Sequence, residues 1–134
     1  MSSFPLRIVT PDGIRFDGKA EKLVVRTASG DLAVLARHTN YVSALGMGRA
    51  VVEADGVRRY AACIGGMISV MNGAVTLVPT TFEWADTIDT HRAEQSRQRA
   101  QTVLDDKDAS ETDIQLAQAR LKRALIRLDT ASRK

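Results

Sequence analysis

The chain changes its building material at residue 84. All nine glycines lie between Gly13 and Gly73, the prolines are Pro5, Pro11 and Pro79, and the six aromatic residues run from Phe4 to Trp84. Residues 85–134 contain none of these types. Glycine and proline punctuate turns, whereas an unbroken run of helix formers needs neither. A single architecture for the whole chain is therefore excluded. Apolar residues fall from 42 of the first 84 to 17 of the last 50, while charged residues rise from 16 to 19 over the same segments. The second part cannot hold a deep core of its own. We read two units, 1–84 and 85–134.

The first unit reads as an all-β sandwich or flattened barrel. Runs rich in β-branched residues recur at Leu6–Thr10, Ala20–Thr27, Asp31–Leu35, Arg49–Ala54, Val57–Cys63, Met67–Met71 and Ala74–Val78. Between them stand turn pairs that join a residue tolerant of positive φ to glycine: Asp12-Gly13, Asp17-Gly18, Ser29-Gly30, Asp55-Gly56 and Asn72-Gly73. Many short strands without helical periodicity imply antiparallel sheets. The stretch Tyr60–Phe82 carries no charge for 23 residues, long enough to raise the question of a membrane span. Gly65-Gly66, Asn72-Gly73 and Pro79 within it argue instead for strands and a hairpin.

The second unit reads as a helical hairpin. The first helix is expected from about Thr87 to Leu104, the cluster Asp105-Asp106-Lys107-Asp108 is the turn, and Ser110 caps a second helix with Glu111 and Asp113 in its first turn. Ile114, Ala117, Leu121, Leu125 and Leu128 form one apolar stripe on the second helix. The first helix offers Ala85, Ile88, Ala93, Ala100, Val103 and Leu104, mostly alanine, so the two can approach closely while burying little. Such a pair is suited to dock elsewhere or to change shape.

Composition narrows the chemistry. Nineteen Lys plus Arg against 16 Asp plus Glu leave a formal charge of +3, split +2 and +1 between the units, which is no field for nucleic acid. Met1–Thr10 lacks the basic, apolar and small-residue segments of a secretory signal. His38 and His91 have no Cys or Glu at metal-ligand spacing, and Cys63, beside Ala62 and Ile64 in a β-run, reads as a small buried hydrophobe. No catalytic constellation and no metal site are expected. Arginine is more informative. Arg92 and Arg99 are two helical turns apart, Arg123 and Arg127 one turn, so each pair shares a face. Four guanidiniums on facing helices suit either phosphates or an acidic protein surface, against the plain alternative of a solvated face with local pairs such as Asp89 to Arg92.

The order of motifs resembles the epsilon subunit family of F-type ATP synthases over nearly the whole chain. Ile8-Val9-Thr10-Pro11-Asp12-Gly13 is similar to the family's opening strand and turn. The stretch from Ser29 to His38 resembles its Gly-Glu-Phe-Gly-Val-Leu-Pro-Gly-His loop, with Leu32 in place of Phe and Ala36-Arg37 in place of Pro-Gly. The Gly65-Gly66 pair and the Asn72-Gly73 hairpin recur there too.

This resemblance implies a ten-stranded sandwich bound to the gamma subunit and the c-subunit ring, with Asp31, Arg37 and His38 in the rotor-contact loop. It implies a non-catalytic central-stalk subunit that couples proton flow to ATP synthesis. The hairpin would open toward the catalytic alpha/beta head and block ATP hydrolysis, with Arg120, Lys122, Arg123 and Arg127 meeting an acidic segment of the beta subunit. Some bacterial members bind ATP through an Ile/Leu-Asp-x-x-Arg-Ala motif, which Ile88-Asp89-Thr90-His91-Arg92-Ala93 matches. That likeness assigns Glu83, Asp89, Arg92, Arg99, Arg123 and Arg127 to a nucleotide, with ATP as a regulatory ligand and no catalytic cofactor. The implied location is peripheral, on the cytoplasmic face of a bacterial cell membrane, through the complex alone. The competing reading is a free-standing adaptor whose hairpin binds an acidic protein partner.

Overall fold

Residues 4–10 bury every second side chain, Phe4, Leu6, Ile8 and Thr10, and expose or half-expose the rest, the signature of a strand with one face on a core. A computed structural model describes residues 2–133 and contains ten strands. They are β1 (Phe4–Thr10), β2 (Gly13–Ala20), β3 (Lys22–Thr27), β4 (Gly30–Val34), β5 (Tyr41–Ala44), β6 (Met47–Ala54), β7 (Val57–Ile64), β8 (Met67–Met71), β9 (Ala74–Val78) and β10 (Thr81–Trp84). Two five-stranded sheets result, ordered β2-β1-β9-β8-β5 and β10-β7-β6-β3-β4. Pairing is antiparallel except between β1 and β9, which run parallel with Leu6 opposite Val75 and Ile8 opposite Leu77.

The core lies between the sheets. Leu6, Ile8, Leu23, Val25, Val34, Val52, Ile68, Val70 and Leu77 are almost fully excluded from solvent, each contributing on the order of 1.5–3 kcal/mol from burial. Cys63 faces the same core, and burial pushes its thiol up to about 12. It is a packed hydrophobe, as its neighbours Ala62 and Ile64 suggest.

Two sequence expectations need correction here. Asp17-Gly18 is not a turn but lies inside β2, an edge strand in which Ile14, Phe16 and Ala20 alternate with Arg15, Asp17 and Lys19 and the Asp-Gly pair mimics a turn signal. The second is the leucine stripe of the hairpin. The first helix, α1, spans Thr90–Leu104 after a 3-10 turn at Ala85–Thr87, and the second, α2, spans Glu111–Ala131. Ser110 caps α2 by accepting from Asp113 N at 3.1 Å. The buried apolar positions of the two helices are alanine: Ala93 and Ala100 on α1, Ala117, Ala124 and Ala131 on α2, at spacings of seven along each helix. Leu125 is half exposed. Small side chains let two backbones approach, and the bulkier leucine is then left facing outward.

The hairpin sits on the outer face of the second sheet. Ala62 on β7 packs with Ile88 and Ala131, flanked by Ile126, in a second small core. Arg49 on β6 donates to Asp129 Oδ2 on α2 at 2.7 Å, with its guanidinium 5.6 Å from the centre of the Tyr60 ring. No helix among the described residues is long and apolar enough to cross a membrane.

Candidate functional site: an arginine-lined cleft between sandwich and hairpin

Strand parity decides which residues of β10 meet the hairpin. Phe82 and Trp84 turn inward and stack edge to face with centroids 4.9 Å apart, so Glu83 between them must turn outward, opposite Ala62. Helix periodicity does the same for α2. Arg120, Arg123 and Arg127 recur at three and four residues and share a face. On α1, Asp89 is the N-cap, and its Oδ1 accepts from the backbone N–H of Arg92 at 3.0 Å. That bond fixes where the helix begins and hence where Arg92 points.

These elements enclose a cleft of about 650 Å³. Arg92, Arg120, Arg123 and Arg127 reach it from the hairpin, Glu83 and Asp89 from the joint between the units, and Asp12 and Arg15 from the sandwich. Five guanidiniums therefore face three carboxylates there. Arg127 Nε donates to Glu83 Oε1 at 2.6 Å, and Arg15 lies 4.0 Å from Asp12. Among the described residues, Arg92, Arg120 and Arg123 form no ion pair. A cleft with unpaired guanidiniums and the hydroxyls of Thr81, Thr87 and Ser96 on its wall is chemically fitted to a polyanion carrying several oxygens.

Five of the six residues assigned to a nucleotide, Glu83, Asp89, Arg92, Arg123 and Arg127, line this one cleft. Arg99, two turns further along α1, is exposed and outside its lining. Of the four residues assigned to an acidic partner, Arg120, Arg123 and Arg127 also face the cleft, whereas Lys122 lines an apolar groove on α2 with Leu121, Leu125 and Ile126. Sequence reasoning missed Arg15, because no periodicity links an edge strand to helices a hundred residues later.

The rotor-contact residues divide. Asp31 on β4 accepts from Arg26 Nε at 2.7 Å. Arg37 and His38 instead line a separate cleft of about 620 Å³ with Ser3, Pro5 and the turn at Asn72-Gly73. His38 Nδ1 is 2.7 Å from Thr39 O, and its ring meets Tyr41 edge to face. No cluster of three or more His, Cys, Asp or Glu side chains able to hold a metal ion occurs among the described residues.

Comparison with known proteins follows the same division of the chain. Residues 3–85 match the family model described as ATP synthase, Delta/Epsilon chain, beta-sandwich domain, and residues 86–132 match the corresponding long alpha-helix domain. The chain is 38% identical over 135 residues to the ATP synthase epsilon chain of Ruminococcus albus, covering all of both. It is 40% identical over 133 residues to that of Bacillus subtilis, covering 99% of this chain and 100% of the relative. Its fold is similar to a chain in the mitochondrial ATP synthase structure of Euglena gracilis, with a TM-score of 0.84 at 20% identity, covering 98% of this chain and 82% of that one. A chain from the Tetrahymena thermophila enzyme gives 0.59 at 12% identity, with 95% of each covered.

Proposed function

The chain belongs to the ATP synthase delta/epsilon family, and on that premise we propose that it is a central-stalk subunit whose sandwich is carried on the rotor and whose hairpin regulates ATP hydrolysis. As an epsilon chain it is a non-catalytic subunit. The sandwich, stiffened by its two-sheet core, would hold the gamma subunit and the c-subunit ring, with the Arg37–His38 loop and Asp31 on its rotor-facing surface. It reaches the membrane through that complex alone.

The hairpin is the moving part in this reading. It is attached by a small core of Ala62, Ile88 and Ala131 and by two side-chain ion pairs, Arg49 to Asp129 and Arg127 to Glu83. In the docked form Arg120, Arg123 and Arg127 face the cleft, so their use against an acidic segment of the catalytic head requires the hairpin to leave the sandwich. ATP bound among Glu83, Asp89, Arg92, Arg123 and Arg127 favours the docked form and releases hydrolysis. The observation that carries this proposal is the convergence of those five side chains on one cleft.

Each half has its own test. Deleting residues 85–134 is expected to leave assembly of the complex intact and to raise its ATPase activity, and unchanged hydrolysis would remove the inhibitory role. Titrating the isolated subunit with ATP is expected to shift the hairpin amide resonances in NMR spectra. Silence at millimolar ATP would remove the nucleotide-sensing role.

A further inference from the structure

We infer that Arg15 is a fifth phosphate-binding cation of the cleft, supplied by the sandwich, so that a bound polyphosphate is gripped from both units of the chain at once. The inference rests on the reading of the cleft as a nucleotide site and names a residue that the matching motif does not contain.

The cleft is electrostatically lopsided. The hairpin and its cap bring Arg92, Arg120, Arg123 and Arg127 against Asp89 alone, whereas the sandwich brings Asp12 and Glu83 with Arg15 as the one cation in its share of the lining. Without Arg15 the sandwich share of the lining would offer a phosphate chain no cation. With it, an anion can bridge the two walls, and bridging is what converts occupancy into docking, since a ligand stabilises whichever arrangement it binds better.

Arg15 is also placed and free to serve. Its carbonyl oxygen accepts from Trp84 Nε1 at 3.2 Å, and Trp84 is itself held between Phe82 and the Arg59 guanidinium, which lies 3.7 Å from the ring centre. The backbone of β2 is thereby pinned at the residue from which the hairpin departs. The Arg15 side chain is about two-thirds buried, and its Asp12 partner, 87% exposed, stands at the limit of an ion pair at 4.0 Å. So loose and solvated a contact is readily exchanged for a phosphate oxygen. Arg127, bonded to Glu83 at 2.6 Å, is far more firmly committed.

The test uses the full chain and calorimetric titration with ATP, AMP and inorganic tripolyphosphate at fixed salt. Arg15→Gln is expected to weaken ATP and tripolyphosphate by about tenfold, a charge-assisted contact's share, and AMP by much less. Arg15→Lys is expected to recover most of the loss. Equal weakening of ATP and AMP without rescue by Lys would make Arg15 a structural residue and overturn the inference. Unchanged ATP affinity in Arg15→Gln, alongside weakened affinity in Arg92→Gln, would overturn it while leaving the nucleotide reading of the cleft intact. Absence of binding to the unsubstituted chain by both ATP and tripolyphosphate would remove that reading and the inference together.

Discussion

Arg127 Nε on α2 donates a 2.6 Å hydrogen bond to Glu83 Oε1 on β10, tying together residues 44 positions apart. Both side chains are roughly a third exposed, so solvent screens the pair and its coupling is expected near 1 kcal/mol. The two single substitutions should not be equal. Glu83→Gln leaves five guanidiniums facing two carboxylates, whereas Arg127→Gln leaves four facing three. In the absence of added anion, Glu83→Gln is therefore expected to cost more. Hydrogen exchange of α2 amides in the two variants and their combination measures both quantities, and an equal or reversed cost would show that the charge excess in the cleft is not felt.

The interior of the sandwich was legible in the sequence, and its rim was not. All six interior strands, β1, β9, β8, β7, β6 and β3, coincide with β-rich runs, because a strand packed on the core carries apolar, mostly β-branched residues on at least its inner face. Of the four edge strands only β4 announces itself. Strand β2 is interrupted by the Asp17-Gly18 pair, which reads as a turn, and β5 and β10 are four residues each, the short form that edges commonly take. The cleft shows the same boundary. Arginines within one helix reveal a shared face through their spacing, but the meeting of Arg15 with Arg127 is a property of sheet and helix packing, which no local period encodes.

Arg37 adopts φ of 65° at the position where the resembling loop carries glycine. A left-handed conformation costs a non-glycine residue about 1–2 kcal/mol, partly offset by the lower backbone entropy that its side chain confers on the unfolded chain. Arg37→Gly is thus expected to stabilise the protein by about 0.5–1 kcal/mol, or roughly 3 °C in Tm. Arg37→Ala removes the charge and keeps the strain, so it should give no such gain. A thermal denaturation series of the three proteins decides, and equal stabilisation by both would assign the effect to charge.

Gly66 and Gly56 both have positive φ, +97° and +74°, yet only one is crowded. A Cβ at Gly66 would stand 2.1 Å from Val78 O and 2.6 Å from Pro79 Cα, whereas one at Gly56 meets nothing within 4 Å. Gly56→Ala is expected to cost about 1 kcal/mol of conformational strain. Gly66→Ala adds a collision with backbone in the β8 to β10 region and is expected to cost about 3 kcal/mol or more. Urea unfolding of the two variants separates the contributions, and similar midpoints would mean that the backbone near Pro79 yields easily.

Cys63 gives the protein a calculable response to alkali. Its thiol rises from an ordinary 9.0 to about 12 because burial disfavours the thiolate. The unfolded chain therefore ionises this group first, so the stability it contributes is complete below about pH 8 and is lost as pH climbs from 9 toward 12. The loss is about 1.4 kcal/mol per pH unit within that window. Between pH 7.5 and 10 the unsubstituted chain is expected to lose about 1.4 kcal/mol more than Cys63→Ala, whose smaller side chain lowers stability by a constant that cancels in the comparison. Unfolding curves of both proteins at the two pH values test this, and parallel losses would show that the thiol ionises as readily in the folded chain as in the unfolded one.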